Sequence, residues 1–345
     1  MEKWLKNIKG NIPHTNINVN IELEGKNLIV TGTNGSGKTS FLKAVYEKVN
    51  VLIAQKQKNK ENALQVEISD NVHFSALYDD RKAVIRFFEE KRLSEIVQPK
   101  NVNAIAVEEE EAKKQNPAQK HANKLEQHLV NLISKQALVK ENNQKLAEQI
   151  GTWFNDFENN LKILFEDESL TLKFDFDKFQ FSICQANKPH FTFQTLSAGY
   201  RAIFDIYAEL IMHSEYFKIM PTDLRGIVFI DEIDSHLHVS LQRLIFPFFT
   251  QSFPKIQFIV TTHSPFVLMS ARDTVIFDLA SNEPITQNLS YFTYSSIMTG
   301  LWHVKPISID LEMKIREIAQ LTNTKPIDIP KLRTLTDDIS THAVQ

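Results

Sequence analysis

Leu28-Ile29-Val30-Thr31-Gly32-Thr33-Asn34-Gly35-Ser36-Gly37-Lys38-Thr39-Ser40 is the run from which the rest of the chain can be placed. Leu28 to Val30 is short and apolar, the composition of a buried strand. The glycines that follow let the backbone double back without Cβ clashes, and Ser40-Phe41-Leu42-Lys43-Ala44-Val45 opens an amphipathic helix. Strand, turn and helix carry the spacing G-x-x-x-x-G-K-[ST], with Gly32, Gly37, Lys38 and Thr39 at the fixed positions and Thr33, Asn34, Gly35 and Ser36 between them. The pattern suits a phosphate chain for physical reasons. Successive backbone N–H groups and the positive end of the helix surround the anion, the Lys38 ammonium neutralises its outer oxygens, and the Thr39 hydroxyl can ligate Mg²⁺.

Composition narrows the alternatives. With 345 residues and 42% apolar content the chain can bury a full core, and its length suggests about two domains. The single cysteine, Cys184, excludes a disulfide framework and a cysteine metal cluster, and its expected place is a small apolar position in a strand. No run approaches the roughly 20 apolar residues of a membrane span, and Met1-Glu2-Lys3-Trp4 has no apolar signal core. A soluble, cytoplasmic protein with no membrane partner is expected. A net charge of −3 gives no bulk attraction to nucleic acid. Such contact would need a local patch; Lys56, Lys58 and Lys60 are candidates, though a solvated helix face explains them more simply.

Upstream of the glycine turn, Ile17, Val19, Ile21 and Leu23 alternate with polar residues, so strands of one sheet are expected to feed the turn. Downstream, a helix should run from about Thr39 to Ile53, with strands at Ala63–Ser69 and Ala83–Phe88. Residues 99–166 differ: an acidic run (Glu108 to Glu111), then Pro117, then a breaker-poor stretch from Lys124 to Phe165. Leu125, Leu129, Leu132, Val139, Leu146, Ile150, Trp153 and Phe157 follow a 3.5-residue repeat, interrupted by Gln136 and Asn143. One long helix is expected, its apolar stripe packing on a helix within 99–116 or on a partner. A hairpin (Leu170 to Phe176, Phe179 to Ile183) and a short strand at Phe191 then lead to Thr195-Leu196-Ser197-Ala198-Gly199-Tyr200-Arg201, where Ser197 is placed to cap a helix.

Two further strands end in polar residues. Gly226-Ile227-Val228-Phe229-Ile230 runs into Asp231-Glu232, and Phe258-Ile259-Val260 runs into Thr261-Thr262-His263-Ser264-Pro265. A continuous apolar run with acids at its end is the form of a central parallel strand opening into a cleft. Val275-Ile276-Phe277 and Tyr291-Phe292 are expected as closing or edge strands, and the tail from Lys305 as a helix, a connection marked by Pro326 and Pro330, and a last helix.

In order and spacing, the glycine turn at 32–39, Leu-Ser-Ala-Gly at 196–199, Asp231-Glu232 and His263 resemble the four motifs of the ABC-type ATPase head. The resemblance implies an α/β P-loop NTPase of the ABC-ATPase type, with a mixed central sheet, an antiparallel β lobe and a helical, coiled-coil-like insertion. It divides the chain into 1–98 (first part of the head), 99–160 (insertion), 161–304 (second part of the head) and 305–345 (helical tail). It also implies ATP and Mg²⁺ as ligands, with Thr39 and Asp231 holding the metal, Glu232 as general base, and His263 and Lys38 at the terminal phosphate. Ser197, Ala198 and Gly199 would meet the γ-phosphate held by a second copy, which implies a head-to-tail homodimer or a higher oligomer.

Tyr200-Arg201 after the signature and Asp231-Glu232-Ile233-Asp234-Ser235-His236-Leu237-His238 depart from transporter heads and are similar to the soluble overcoming-lysogenization-defect and SMC-like branch. For the glutamine that usually completes Mg²⁺ coordination in such heads the candidate is Gln98. Only 82 residues follow His263 in this sequence, too few for a fused Toprim nuclease, and the insertion is far shorter than an SMC arm. The pattern therefore resembles the stand-alone ATPases of anti-phage systems such as Septu and PARIS. These are expected to be sensor or regulatory subunits acting with a separately encoded nuclease. The alternatives are an SMC-like repair or chromosome-maintenance ATPase that clamps DNA, and a nucleotide-locked scaffold with little turnover.

Overall fold

The computed structural model describes residues 4–54, 63–92, 94–105, 110, 120–302, 304, 307–323 and 328–342. The chain forms two compact units, Met1–Tyr291 and Phe292–Gln345.

The first unit is built on a six-stranded sheet. In space the strands run β12 (Glu283–Ile285), β11 (Thr274–Asp278), β3 (Asn27–Thr31), β10 (Ile256–Thr261), β9 (Arg225–Ile230) and β5 (Ala83–Phe88). All neighbours are parallel except the antiparallel edge strand β12. The inner strands β3, β9 and β10 are buried almost throughout, as a parallel sheet covered on both faces requires.

Helix α1 (Lys38–Ile53) follows β3 directly. Its Phe41, Leu42, Val45 and Val49 pack into one core with Val30, Phe229 and Ile259 of the central sheet and Trp4, Leu5, Ile8, Val19 and Ile21 from a second sheet. That second sheet is antiparallel, in the order β2 (Asn18–Glu22), β1 (Leu5–Asn11), β4 (Gln65–Ile68). Gln257 ties the two sheets. Fully buried, its side chain accepts from the Trp4 and Leu5 N–H groups (3.0 and 2.8 Å) and donates to the Leu5 and Lys26 carbonyls (3.1 and 2.6 Å). A buried amide is tolerated because each of its polar groups is partnered. Only β3 of the N-terminal strands joins the sheet that bears the glycine turn. The expectation that strands of one sheet feed it is therefore corrected: the tight antiparallel pairing of β1 with β2 and β4 takes the alternating segment into its own lobe.

The stretch Lys124–Phe165 is not one helix. α3 (Leu125–Val139) and α4 (Gln144–Phe165) are separated by a turn, and Asn143 caps the second by accepting from the Leu146 N–H (3.1 Å). Gln136 then donates across the pair to the Ala147 carbonyl (3.1 Å). The polar residues read as interruptions of a stripe are thus the cap and tie of a helical hairpin. The stripe packs within the chain, with Leu125, Leu129, Leu132, Ile150 and Phe157 buried and Phe157 stacked near Tyr207 at 5.9 Å. Much of the expected 99–116 helix and acidic run, and the Lys56, Lys58, Lys60 group, lie outside the described residues. The hairpin β6 (Thr171–Asp175) and β7 (Gln180–Cys184) forms as expected, with Phe174 opposite Phe181, and β8 (Phe191–Thr192) joins it. Cys184 is buried at a strand end. Leu289–Tyr291 is a 3₁₀ turn rather than a closing strand.

Helix α2 (Asn71–Asp79) leads into β5; α5 (Ala198–Phe217), α6 (Val239–Ser252) and α7 (Pro265–Ser270) complete the elements used below. The second unit contains α8 (Tyr294–Gly300), α9 (Ile309–Asn323) and α10 (Ile329–His342). Lys314 joins the last two by an ion pair to Asp338 (2.6 Å). Among the described residues no helix is long and apolar enough to cross a membrane.

Candidate functional site

Strand order creates the site. β10 lies between β3 and β9, all parallel, with Ile29, Val260 and Ile230 level with one another. The segments leaving their C-terminal ends therefore emerge side by side: the glycine turn from β3, Thr261 to Ser264 from β10, and Asp231-Glu232 from β9. Such an edge is where parallel α/β sheets place ligands. Asn34, Gly35, Gly37, Lys38, Thr39, Ser40, Glu232 and His263 line one cleft of about 660 Å³.

The turn has the backbone its sequence demands. Gly37 sits at φ +90 immediately before α1 and Gly32 at φ +142, where a Cβ would stand 2.7 Å from the Ser36 Oγ. No side chain caps α1 and no acid lies in its first turn, so its N–H groups and dipole face the cleft uncompensated. Lys38, 5% exposed, folds its ammonium onto the Gly32 and Thr33 carbonyls (3.1 and 3.0 Å). The Ser36 hydroxyl is buried with no hydrogen-bond partner among the described residues.

The acids are held from beneath. Thr261 Oγ1 donates to Asp231 Oδ1 (2.7 Å) and accepts from the Glu232 N–H (2.7 Å), fixing both residues at once. Glu232 itself adopts φ +45, an unfavourable left-handed conformation for a residue with a Cβ. Thr262 donates to Asp234 and accepts from the Ser264 N–H (2.9 Å), while Ser264 donates to Gln242 of α6 (2.6 Å) and caps α7. His263 is therefore set between two anchored neighbours.

Burial and charge act together on these groups. Burial raises the Glu232 carboxyl above its usual range, aided by Glu90, Asp231 and Asp234 and opposed by Lys38. Burial and the Lys38 charge lower the His263 imidazole, leaving it neutral near pH 7. Lys38 is lowered by burial, an effect that the surrounding carboxylates of Glu232, Asp231, Asp234 and Asp278 oppose.

Ser197, Ala198 and Gly199 do not line this cleft. Ser197 occupies the N-cap position of α5, but its side chain makes no capping bond and is exposed, so the helix entrance is left open. Gly199 is required by close packing: a Cβ there would stand 3.2 Å from the His236 carbonyl and 3.3 Å from Leu241 Cδ1. Gln98 is also absent from the cleft; its amide donates to the Lys178 carbonyl (3.1 Å) in the β6–β7 turn. The residues directly after β5 are Glu89 and Glu90, and Glu90 is near enough to act on Glu232.

Sequence reasoning missed Thr261 as the joint between the two acids, Asp234 as the acceptor behind His263, and Arg92. The threonines were visible at the end of the β10 run, and a hydroxyl there is a signal for strand-end hydrogen bonding. Arg92 carries no local signal, since its partners are about 140 residues away in sequence.

The chain is similar to several known proteins. A family model described as "AAA domain, putative AbiEii toxin, Type IV TA system" matches residues 118–270. The chain is 34% identical over 161 residues to "Septu protein PtuA" of Bacillus mycoides (strain KBAB4), covering 43% of this chain and 22% of that protein. It is 45% identical over 73 residues to "Retron Ec83 probable ATPase" of Escherichia coli, covering 20% and 14% respectively. The matched stretches thus span less than a quarter of either relative. Among solved structures, an Smc head bound to the C-winged helix domain of ScpA aligns with a TM-score of 0.41 at 14% identity, covering 84% of this chain and 99% of that chain. The strand, glycine turn and helix on this mostly parallel sheet have the architecture of an ABC-type P-loop ATPase head, and the chain's sequence relatives include a Septu PtuA protein and a probable ATPase of a retron.

Proposed function

We propose that the cleft binds ATP with Mg²⁺ and hydrolyses it, and that the chain is the sensor or regulatory subunit of an anti-phage defence complex whose nuclease is a separate polypeptide. The observation that carries the catalytic reading is the convergence of the glycine turn, Glu232 and His263 on one cleft at the ends of adjacent parallel strands. The residues fit the ligands. An uncapped helix N-terminus, a buried ammonium and an orphaned Ser36 hydroxyl form a cradle for phosphate, and the Thr39 hydroxyl and Asp231 carboxylate are the hard oxygen donors that Mg²⁺ prefers. When bound, Mg²⁺ supplies charge neutralisation at the β and γ oxygens.

The chain's own groups do the rest. Gly32 to Ser40 hold the phosphates through backbone N–H groups. Lys38 leaves its two carbonyls and turns its charge to the anion, which raises its pKa again. Glu232, its carboxyl raised above the usual range by burial, accepts the proton of the attacking water at its side-chain oxygen. Neutral His263 offers one ring N–H to the terminal phosphate. The open entrance of α5, with Ser197, Ala198 and Gly199, meets the terminal phosphate held by a second copy, so two copies pair head to tail around two shared sites. In this arrangement 1–98 and 161–304 are the two parts of the head, 99–160 an insertion and 305–345 a tail. The head works in the cytoplasm.

The test is phosphate release by the purified chain with Mg²⁺ and ATP. Wild type should turn over, and Glu232→Gln should bind ATP while releasing phosphate at least a hundredfold more slowly. Equal rates would remove Glu232 from the reaction. DNA or RNA cleavage by the chain alone would overturn the division of labour.

A further inference from the structure

Behind the acids lies a group that none of the roles above uses. Arg92, 5% exposed, follows β5 and reaches under the segment that leaves β9. Its Nη2 donates to the Asp231 and Glu232 carbonyls (2.7 and 2.6 Å), and its Nη1 to the Ile233 carbonyl (3.3 Å). Three successive carbonyls converge on one guanidinium. Their dipoles would repel one another without a cation, and only the planar fork of arginine can serve all three at once.

The peptide flanking Glu232 is thereby gripped from both sides. Thr261 takes its N–H and Arg92 takes its C=O, across a residue held at φ +45. The buried charge has its counterpart on α5, the helix that begins at the signature. Asp205 lies seven residues into that helix, with a fully buried side chain. Among the described residues its carboxylate makes no hydrogen bond, and it forms an ion pair with Lys120 at 3.5 Å; it is the first of the negative charges that oppose the lowering of Arg92 by burial.

We infer that Arg92 is the positioning residue of the hydrolytic site: it holds the backbone that aims Glu232. This rests on the reading of the cleft as an ATPase site. Arg92 is buried and does not line the cleft, so its loss should misplace the base without emptying the cradle. Displacing a catalytic group by about 1 Å costs on the order of a hundredfold in rate.

The experiment measures kcat, KM, equilibrium ATP binding and thermal unfolding for wild type, Arg92→Gln, Arg92→Lys and the double variant Arg92→Gln/Asp205→Asn. The double variant removes both buried charges, so that an unpaired carboxylate does not simply unfold the protein. The expected result is a drop in kcat of about a hundredfold in Arg92→Gln and in the double variant, with ATP affinity and KM within about threefold of wild type. Arg92→Lys restores thermal stability better than it restores kcat, because one ammonium cannot span three carbonyls. If wild type turns over and the double variant keeps kcat within twofold, or if ATP affinity falls in step with kcat, the inference is overturned while the ATPase reading stands. If wild type itself does not turn over, both fall.

Discussion

Replacing Thr261 by valine isolates the joint on which the two acids depend. Valine keeps the β-branched shape that suits β10 and removes the hydroxyl, which is buried and engaged twice: it donates to Asp231 at 2.7 Å and accepts from the Glu232 N–H at 2.7 Å. A hydrogen bond to a charged group contributes about 1.5–3 kcal/mol, and a buried N–H left without a partner costs about 1–3 kcal/mol. The two together predict a loss of roughly 2.5–6 kcal/mol. At roughly 2–4 °C per kcal/mol for a unit of this size, Tm should fall by roughly 5–24 °C. Catalysis should fall as well, on the order of ten- to a hundredfold in kcat, because the Asp231 carboxylate and the Glu232 N–H each lose the hydroxyl that orients them. The assay pairs thermal unfolding with phosphate release at a temperature where the variant is folded, and Thr261→Ser, which keeps the hydroxyl, should recover most of both. A valine variant within about 1 kcal/mol and half the rate of wild type would refute the coupling of Asp231 and Glu232 through one hydroxyl.

Two other perturbations address different parts of the chain. In Gly199→Ala the new Cβ meets the His236 carbonyl at 3.2 Å and Leu241 at 3.3 Å, so the entrance of α5 should shift. Phosphate release should fall more than about tenfold with ATP binding unchanged; an equal loss of binding would place Gly199 in the wrong role. Acid should destabilise the fold through His121, whose imidazole is buried against His213 and Tyr216 and lowered by burial to about 4. A depressed histidine is neutral in the fold, so its contribution is complete above pH 6.5 and is lost as pH falls from there through 4. Wild type should lose several degrees of Tm over that window, and His121→Phe, whose backbone N–H still reaches Glu209, should show a flatter profile. Parallel profiles would exclude His121 as the titrating group.

Much of this architecture is legible in the sequence because the informative signals are local. The run from Leu28 to Ser40 specifies strand, turn and helix by itself, and the apolar runs ending in Asp231-Glu232 and His263 announce parallel strands opening on a cleft. What sequence cannot supply is strand order: that β10 separates β3 from β9, and so brings His263 between the turn and the acids, is a pairing across more than two hundred residues. The helical hairpin failed as a single helix for a related reason. The 3.5-residue stripe resumes at Leu146 beyond the polar run Lys140 to Asn143, and only the packing of Leu125, Leu129 and Phe157 against the rest of the head makes folding back more favourable than continuing. Thr261 and Arg92 serve backbone groups distant in sequence, and neither residue type nor spacing marks such duty.

A mixing experiment tests most directly whether the site is shared between two copies. Lys38→Ala removes the cradle and Ser197→Arg blocks the helix entrance, and each variant alone should release almost no phosphate from ATP. Mixed in equal amounts, random pairing makes half the dimers heterodimers, each with one intact cradle facing one intact entrance, so activity should return to roughly a quarter of wild type. Activity that stays at the level of the separate variants would mean that α5 of one copy never meets the cradle of another.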